Sequence, residues 1–423
     1  MVKPALPTTL MSHLSAPAPA SASRAAWMAV ALLFPVALLN YLDRQMLATM
    51  QKSMVEDIPT ITNEESWGNV LAAFKWTYAF LSPIGGFIAD RFSRRRVIGF
   101  SLLAWSLVTW LTSHVTTMDQ LVWARAAMGI SEAFYIPAAL ALIADFHVGG
   151  TRSLAVGVHQ TGIYAGQMLG GLAGYVADAP GYGWQWMFST CGMMGVLYAL
   201  PLLAALKHPP NRPDAVPVAS PAAGLRELLT NKNFLLLVAY FTLPAIAGWV
   251  IRDWGPKILR DQFNLEQGRA GMIAVFTVQI ASLLGALIGG WLADRLMHRS
   301  KRGRILASAL GMVLFLPALF GVGHAASITM AVVALAVFGL GWGFFDCNNM
   351  PILCQLVRPE LRATGYGFMN LISISCGGLA DWGFGVMRDA HIPLNVIFGS
   401  FAAIALLSVG VVLCIRPNAA LRR

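Results

Sequence analysis

The chain has 423 residues, of which 57% are hydrophobic and only 12% are charged. Because soluble domains usually carry about 25% charged residues, this composition excludes an ordinary water-soluble fold and predicts that most of the chain faces lipid or other helices. The net charge of +10 does not indicate nucleic-acid binding. The Lys and Arg residues cluster in short gaps between apolar runs, as in membrane proteins that follow the positive-inside rule.

Two sets of six spanning helices are predicted after a disordered cytoplasmic tail at residues 1–24, which is rich in Ala, Pro, Ser and Thr. Each prediction rests on length, since a helix that crosses a membrane needs about 20 mostly apolar residues. The N-terminal bundle, 25–206, is predicted to contain helices at 26–50, 67–89, 96–115, 119–146, 153–177 and 185–206. The C-terminal bundle, 233–416, is predicted to contain helices at 233–258, 268–293, 303–323, 326–353, 361–386 and 392–415. The expected fold is therefore an all-α membrane protein of twelve helices.

A polar, Pro-rich segment at 207–232 is predicted to be a cytoplasmic linker between the bundles. Its second part, GLRELLTNK, favours a short amphipathic helix at the membrane surface. Basic residues follow helices 2 and 8, whereas acidic residues follow helix 1. We therefore expect a monomeric, multi-pass protein of a bacterial inner membrane. Both termini, including the tail 417–423, should lie in the cytoplasm.

An internal repeat relates the two bundles. GGFIADRFSRRR at 85–96 matches GGWLADRLMHRSKRGR at 289–304, and RSLAVG recurs as RATGYG 210 positions later. Two matches at nearly one offset indicate a duplicated six-helix unit, as in many secondary transporters.

The repeated loop, GxxxADRxxxRR, resembles the signature loop of the major facilitator superfamily. The resemblance implies the twelve-helix, two-repeat fold of that superfamily. It also implies that this loop latches the two halves together on the cytoplasmic side and does not bind substrate. The residues that would gate in this way are Gly86, Asp90, Arg91, Arg95, Asp294 and Arg295.

Helices 1, 2 and 4 carry charges at membrane depth, which are costly there and usually functional. Helix 1 has Asp43 and Arg44, helix 2 has Lys75, and helix 4 has Arg125 and Glu132. A guanidinium suits an anionic substrate because its fork matches a carboxylate, and a buried carboxyl group suits proton coupling. The alternative is a set of static pairs, in which Asp43 neutralises Arg44 or Lys75 and Glu132 neutralises Arg125.

NYLDRxxL in helix 1 and RxxxGxxEAxxxP in helix 4 resemble the anion:cation symporter family of the superfamily, which takes up sugar acids. The resemblance implies that Arg44 binds the substrate carboxylate and Tyr78 its hydroxyls. Asp43 and Glu132 would carry protons, with Arg125 tuning Glu132. Spinster-like lysolipid transporters share a similar pattern, so the size of the substrate stays open.

Helix 7 carries Arg252 and Asp253, so an Asp–Arg pair recurs in the second repeat in reversed order. Arg252 is predicted to close the outward gate or to add a second contact to the anion. The alternative is an arginine that snorkels to the membrane surface.

Polar residues of helices 5, 10 and 11 are predicted to face a cavity. Gln160, Asn370 and Ser373 are candidate substrate contacts, and hydrogen bonding between helices is the alternative. His159 is expected to be a packing residue. Further polar groups without an assigned role are Asp346, Asn348, Asn349 and Asp381.

Helix 5 reads GIYAGQMLGG, which resembles a motif of proton-driven exporters except that Gln167 replaces a proline. This difference favours import. We therefore expect proton-coupled symport of a small organic anion across the bilayer, driven by the proton gradient without a cofactor, with sodium as the alternative coupling ion. A spinster-like carrier of a lysolipid or another amphiphile, or an exporter, is the alternative function. The sequence contains no nucleophile–base set and no metal cluster that would indicate an enzyme.

Overall fold

The computed structural model describes residues 20–147, 151–207, 221–358 and 361–417, without the side chains of 20–23, 86, 87, 89–91, 152, 153 and 221–223. The N-terminal half of this described part contains α1 (Ala20–Thr49), α2 (Gln51–Asp57), α3 (Glu64–Arg91), α4 (Arg94–Thr112), α5 (Met118–Glu132), α6 (Tyr135–Phe146), α7 (Arg152–Gly171), α8 (Ala173–Asp178) and α9 (Trp184–Ala205). The C-terminal half contains α10 (Pro221–Thr230), α11 (Lys232–Phe263), α12 (Gln267–Met297), α13 (Gly303–Gly323), α14 (Ile328–Leu356), α15 (Arg362–Asp389) and α16 (Leu394–Cys414).

These helices form twelve transmembrane segments in two sets of six, which confirms the predicted fold class. Eight segments are long and apolar enough to cross a membrane by length and composition alone: 24–49, 118–146, 184–205, 232–263, 267–297, 303–323, 328–356 and 394–414. The four more polar segments are α3, α4, α7 with α8, and α15. Between the halves, the short helix α10 lies where the sequence favours an amphipathic helix.

The fourth segment is interrupted, whereas the sequence predicts one continuous helix at 119–146. Helix α5 ends at Glu132 and α6 begins at Tyr135. The physical reason is Pro137, which has no N–H to donate and whose ring clashes with the carbonyl of Ala133, four residues earlier. The interruption puts Glu132 at the end of α5, where its side chain reaches α1.

The molecule has two ends, which we name by the segments found there. The linker end carries the C-terminus of α9 and the start of α10, and the far end carries the loops at 58–63, 113–117, 264–266 and 390–393. At the far end the halves approach closely. A Cβ on Gly68 of α3 would lie 2.8 Å from the backbone oxygen of Asp381 in α15, and a Cβ on Gly268 would lie 2.6 Å from the ring of Tyr175. Only glycine fits at such contacts.

Hydrogen bonds across the halves also seal the far end. Gln267 donates to Asp178 at 2.8 Å and to the Ser53 hydroxyl at 2.6 Å. The carboxylate of Asp389, at the end of α15, accepts the N–H groups of the first two residues of α3 at 2.9 and 2.7 Å. A helix N-terminus leaves its first N–H groups without partners in the helix and favours negative charge. Thus one half caps a helix of the other.

Candidate functional site

A cavity of about 290 Å³ lies between the halves. Its wall includes Leu140 and Tyr366, which belong to the linker-end portions of α6 and α15. The cavity therefore lies on the linker side of the sealed far end. All six predicted substrate contacts line it: Arg44, Tyr78, Gln160, Arg252, Asn370 and Ser373. The structure brings these residues together from both halves, and their roles in binding stay predictions.

Arg44 connects the cavity to a buried carboxylate. Its Nε donates to Oε2 of Glu132 at 2.6 Å, and Glu132 is completely buried. The guanidinium also lies over the rings of Tyr41, Phe74 and Tyr78, with centroid distances of 4.8, 4.8 and 4.7 Å. Aromatic faces attract a cation and hold it in place. Glu132 thus uses Nε, and the terminal nitrogen Nη2 has no hydrogen-bond partner among the described residues.

The other two predicted proton-coupling residues are buried near this pair. Asp43 accepts a hydrogen bond from Thr109 at 2.7 Å, and its Oδ1 has no partner in the described part of the chain. Arg125 lies over Phe74 at 4.6 Å. The static pairs of the sequence analysis are wrong in their partners. Glu132 bonds to Arg44 and not to Arg125, and Asp43 pairs with neither Arg44 nor Lys75.

Arg252 lines the cavity between the halves and is stacked on Trp249, which does not fit the interpretation as an arginine that snorkels to the membrane surface. Its guanidinium stacks on Trp249 at 5.1 Å, and its backbone carbonyl accepts a long hydrogen bond from Gln45 of the other half at 3.5 Å. Within the described residues its guanidinium makes no ion pair. Arg44 and Arg252 therefore present two positive groups to one cavity, one from each half.

Lys75 joins the two halves through an ion cluster that the sequence analysis missed. Its ammonium contacts the carboxylates of Asp253 in α11 and Asp381 in α15, and it lies 4.6 Å from the ring centroid of Trp249. The side chains of Lys75, Asp253 and Asp381 are only 4%, 13% and 0% exposed. The sequence offers one signal for this cluster. All three residues fall in predicted spanning helices, and Lys75 is positive whereas Asp253 and Asp381 are negative.

The sequence analysis also missed the apolar and aromatic part of the cavity wall. These residues include Ile136, Leu140, Ile163, Tyr164, Phe241, Ala245, Trp249, Trp342, Phe345, Tyr366 and Ile374. Because such residues are common throughout spanning helices, nothing in the sequence distinguishes those that face the cavity from those that face lipid.

The remaining polar candidates separate into two groups. Asp346 lines the cavity and is exposed there. Asn348 is buried and donates to the carbonyl of Phe344 at 2.9 Å, so it acts in packing. His159 is 1% exposed and shares a hydrogen bond of 2.9 Å with the hydroxyl of Tyr135, although its ring also borders the cavity.

The repeated loops at the linker end make similar contacts in both halves. Arg95 donates to the carbonyl of Leu203 near the end of α9, and Arg302 donates to the carbonyl of Leu413 near the end of α16. The last carbonyls of a helix have no partner within the helix, so these arginines cap helix ends in their own half.

The other predicted gating residues are only partly described. Asp294 is 75% exposed and lies 3.9 Å from Arg304 of the same half. The guanidinium of Arg295 lies 5.6 Å from the ring centroid of Trp291. The side chains of Gly86, Asp90 and Arg91 lie outside the described residues. A latch between the halves at the linker end therefore stays a prediction.

Comparison with known proteins adds relatives to this geometry. The family model of the Major Facilitator Superfamily matches residues 33–380. Protein spinster of Drosophila melanogaster is 26% identical over 84% of this chain and 61% of its own length. Protein spinster homolog 1 of Xenopus tropicalis is 27% identical over 85% of this chain and 72% of its own length. The chain thus spans less than two thirds of the Drosophila protein.

Solved structures show the same fold. A bacterial homolog of the human lysosomal transporter spinster, in an inward-facing and unoccupied conformation, superposes with a TM-score of 0.74 at 18% identity and covers 92% of this chain and 94% of its own. A nucleoside transporter reaches the same TM-score at 15% identity and covers 92% of this chain and 99% of its own. These relatives support the spinster-like alternative better than the anion:cation symporter family, which they do not confirm.

Proposed function

The chain belongs to the Major Facilitator Superfamily, and from that premise we propose that it is a spinster-like carrier that moves an anionic amphiphile, such as a lysolipid, together with a proton. The observation that carries the proposal is the mixed wall of the cavity. Arg44 and Arg252 supply positive charge, and apolar and aromatic residues such as Ile136, Leu140 and Phe241 line the same cavity beside polar ones. The similarity to spinster proteins supports the spinster-like alternative over the sugar-acid symporter.

Arg44 and Arg252 suit the anionic head of such a molecule. A guanidinium presents several N–H donors in a planar fork that matches carboxylate or phosphate oxygens. Among the residues that the structure describes, Nη2 of Arg44 is buried without a hydrogen-bond partner, and an anion that accepts its N–H would remove that cost. Arg252, held on Trp249, offers the second positive group from the opposite half.

The apolar and aromatic residues of the wall suit a hydrocarbon tail. Each 100 Å² of apolar surface that leaves water contributes about 2.5 kcal/mol. A tail against Ile136, Leu140 and Phe241 would therefore add substantially to affinity. A sugar acid has little apolar surface to bury there. This wall is the specific reason to rank the amphiphile above the sugar acid.

The hydrogen bond between Arg44 and Glu132 supplies the coupling. While Glu132 is ionised, its charge partly neutralises Arg44 and weakens the attraction of Arg44 for an anion. When Glu132 takes up a proton, Arg44 presents its full charge to the cavity. Anion and proton therefore favour each other's binding, as linkage requires for two ligands of one site. Arg125 is a further positive group close to this pair and lies over Phe74.

Alternating access would then carry both ligands across the membrane. In this structure the far end is sealed by contacts such as Gln267 with Asp178, and the cavity lies on the linker side of that seal. If the basic linker end lies in the cytoplasm, as the charge distribution predicts, this conformation faces inward.

A binding panel tests the proposal. We would compare a lysolipid, its water-soluble head group and a sugar acid as ligands of the purified protein in nanodiscs, by calorimetry and thermal stabilisation. The lysolipid should bind at least about tenfold more tightly than either other ligand, since about 60 Å² of buried apolar surface already supplies about 1.5 kcal/mol. Arg44→Gln should abolish binding, and Arg358→Gln, a change at an exposed ion pair, should not. Equal or tighter binding of the sugar acid would reject the amphiphile.

A further inference from the structure

The ion cluster of Lys75, Asp253 and Asp381 lies outside the proposed substrate site and outside the Arg44–Glu132 pair. We propose that Asp253 and Asp381 form a second binding site, for a monovalent cation, and that Lys75 fills this site with its own ammonium while the far end is closed. When the far end opens, a proton or a sodium ion from solution replaces Lys75.

The two carboxylates belong to the same half. Asp253 lies on α11 and Asp381 on α15, and these two helices pack against each other within the C-terminal half. Lys75 lies on α3, in the N-terminal half. When the halves rotate apart at the far end, the carboxylates stay together and lose the ammonium. The C-terminal half therefore provides both carboxylates of the site, and the N-terminal half provides the ammonium that occupies it.

The structure already shows a positive group bound at this site. The ammonium of Lys75 contacts one oxygen of each carboxylate, and the side chain of Asp381 is completely buried. Oδ1 of Asp381 is also buried and has no hydrogen-bond partner among the described residues. That oxygen belongs to the same carboxylate that contacts Lys75, and it is available as a further ligand. Oxygen ligands of this kind suit a hard cation or a proton.

Charge balance requires a replacement when Lys75 leaves. A buried carboxylate that loses its only cationic partner is strongly destabilised, and here two carboxylates would lose the same partner at once. The other charged groups nearby are Arg125 of α5, Arg44 of α1 and Arg252 of α11, which line a small cavity together with Lys75 and Asp253. Arg44 is bonded to Glu132 and Arg125 stacks on Phe74.

A cation that binds only when the far end is open must favour opening. The ratio of open to closed molecules should rise up to about tenfold for each tenfold increase in cation concentration above its dissociation constant. This dependence does not require a substrate. It can therefore fail independently of the amphiphile proposal.

Distance measurements across the far end test the inference. Spin labels would be placed at Asp119→Cys in α5 and Val396→Cys in α16, both exposed at the far end in opposite halves. The five native cysteines would first be replaced, and substrate binding would be checked. One arm lowers the pH from alkaline to mildly acidic without sodium, and the other replaces choline with sodium at fixed pH.

The open population should rise in one arm, which identifies the cation as a proton or as sodium. The triple variant Lys75→Gln/Asp253→Asn/Asp381→Asn leaves no charge of the cluster buried alone, and it should lose the response. Glu132→Gln, which removes the carboxyl group proposed to couple proton and anion, should keep it. A native protein that responds in neither arm, or a triple variant that responds like the native protein, would overturn the proposal.

Discussion

The substitution Glu132→Gln tests the coupling between proton and anion in most depth. Gln keeps the size of the side chain and can still accept the bond that Arg44 Nε now makes at 2.6 Å, but it carries no charge. It therefore imitates the protonated state of Glu132 permanently. The variant should bind the anion at all pH values as tightly as the protonated native protein does.

The size of the effect follows from the geometry of the pair. Two unit charges whose centres are about 4 Å apart interact by about 4 kcal/mol at an effective dielectric constant of 20. Arg125 nearby and water in the cavity offset part of this. Measured couplings between sites are typically 1–3 kcal/mol, or about 5- to 150-fold in affinity. We therefore expect native affinity to change by about that factor with pH, and the affinity of Glu132→Gln to stay constant.

The assay combines equilibrium binding across a pH series with uptake into proteoliposomes under an imposed proton gradient. Glu132→Gln should exchange labelled for unlabelled substrate but should not accumulate substrate against its gradient. Glu227→Gln, which neutralises an exposed carboxylate of α10, is the matched control and should accumulate substrate normally. Accumulation by Glu132→Gln at the native level would refute the reasoning.

Four further predictions concern other parts of the structure. Arg44→Lys keeps the charge but loses the planar fork, so calorimetry should show anion binding weakened at least tenfold, yet less than in Arg44→Gln, where a lost charged contact costs about 2–5 kcal/mol. Leu140→Ala should weaken lysolipid binding about 5- to 30-fold through the loss of apolar contact, and it should leave head-group binding unchanged. The control Leu200→Ala changes an exposed residue of α9 away from the cavity and should affect neither ligand. Asp389→Asn should weaken the cap on α3 by about 1 kcal/mol. Spin-label distances should then show a roughly fivefold larger open population at the far end. An unchanged population would contradict the gating role of this cap. Hydrogen bonds from Arg358 lower the pKa of Glu227 below its ordinary value of 4.5. The ion pair between Arg358 and Glu227, which docks α10, is therefore fully present above pH 4.5 and is lost as the pH falls below that value. Limited proteolysis near α10 should detect this loss.

The fold could be predicted from two features of the sequence, the long apolar runs and the repeated loop. Long apolar runs must become helices in lipid, because every backbone polar group needs a partner there. The repeated loop then divides the helices into two equal sets. The break in the fourth segment was less accessible, because proline often bends a spanning helix without ending it. Here Pro137 ends α5 just after Glu132.

The candidate site was predictable where a charge at membrane depth marked it. Arg44, Arg252 and Glu132 stood out in apolar helices, and the structure places the two arginines on one cavity and Glu132 directly behind Arg44. Their partners were not predictable, because pairing depends on the rotation of each helix and on contacts between halves distant in sequence. Lys75 and Asp381 are 306 positions apart. No local pattern reports such a pair.

The most direct measurement of the central claim is proton uptake by the purified protein when the anion binds. It would be followed with a pH indicator in weakly buffered solution, at a pH where Glu132 of the free protein is ionised. Because Arg44 is shared between Glu132 and the anion, the native protein should take up about 0.4 to 0.85 proton per anion bound at the pH where its anion affinity changes most steeply, as a 5- to 150-fold coupling requires, and Glu132→Gln should take up none. Anion binding to the native protein without proton uptake, or equal uptake by the variant, would contradict this account of transport.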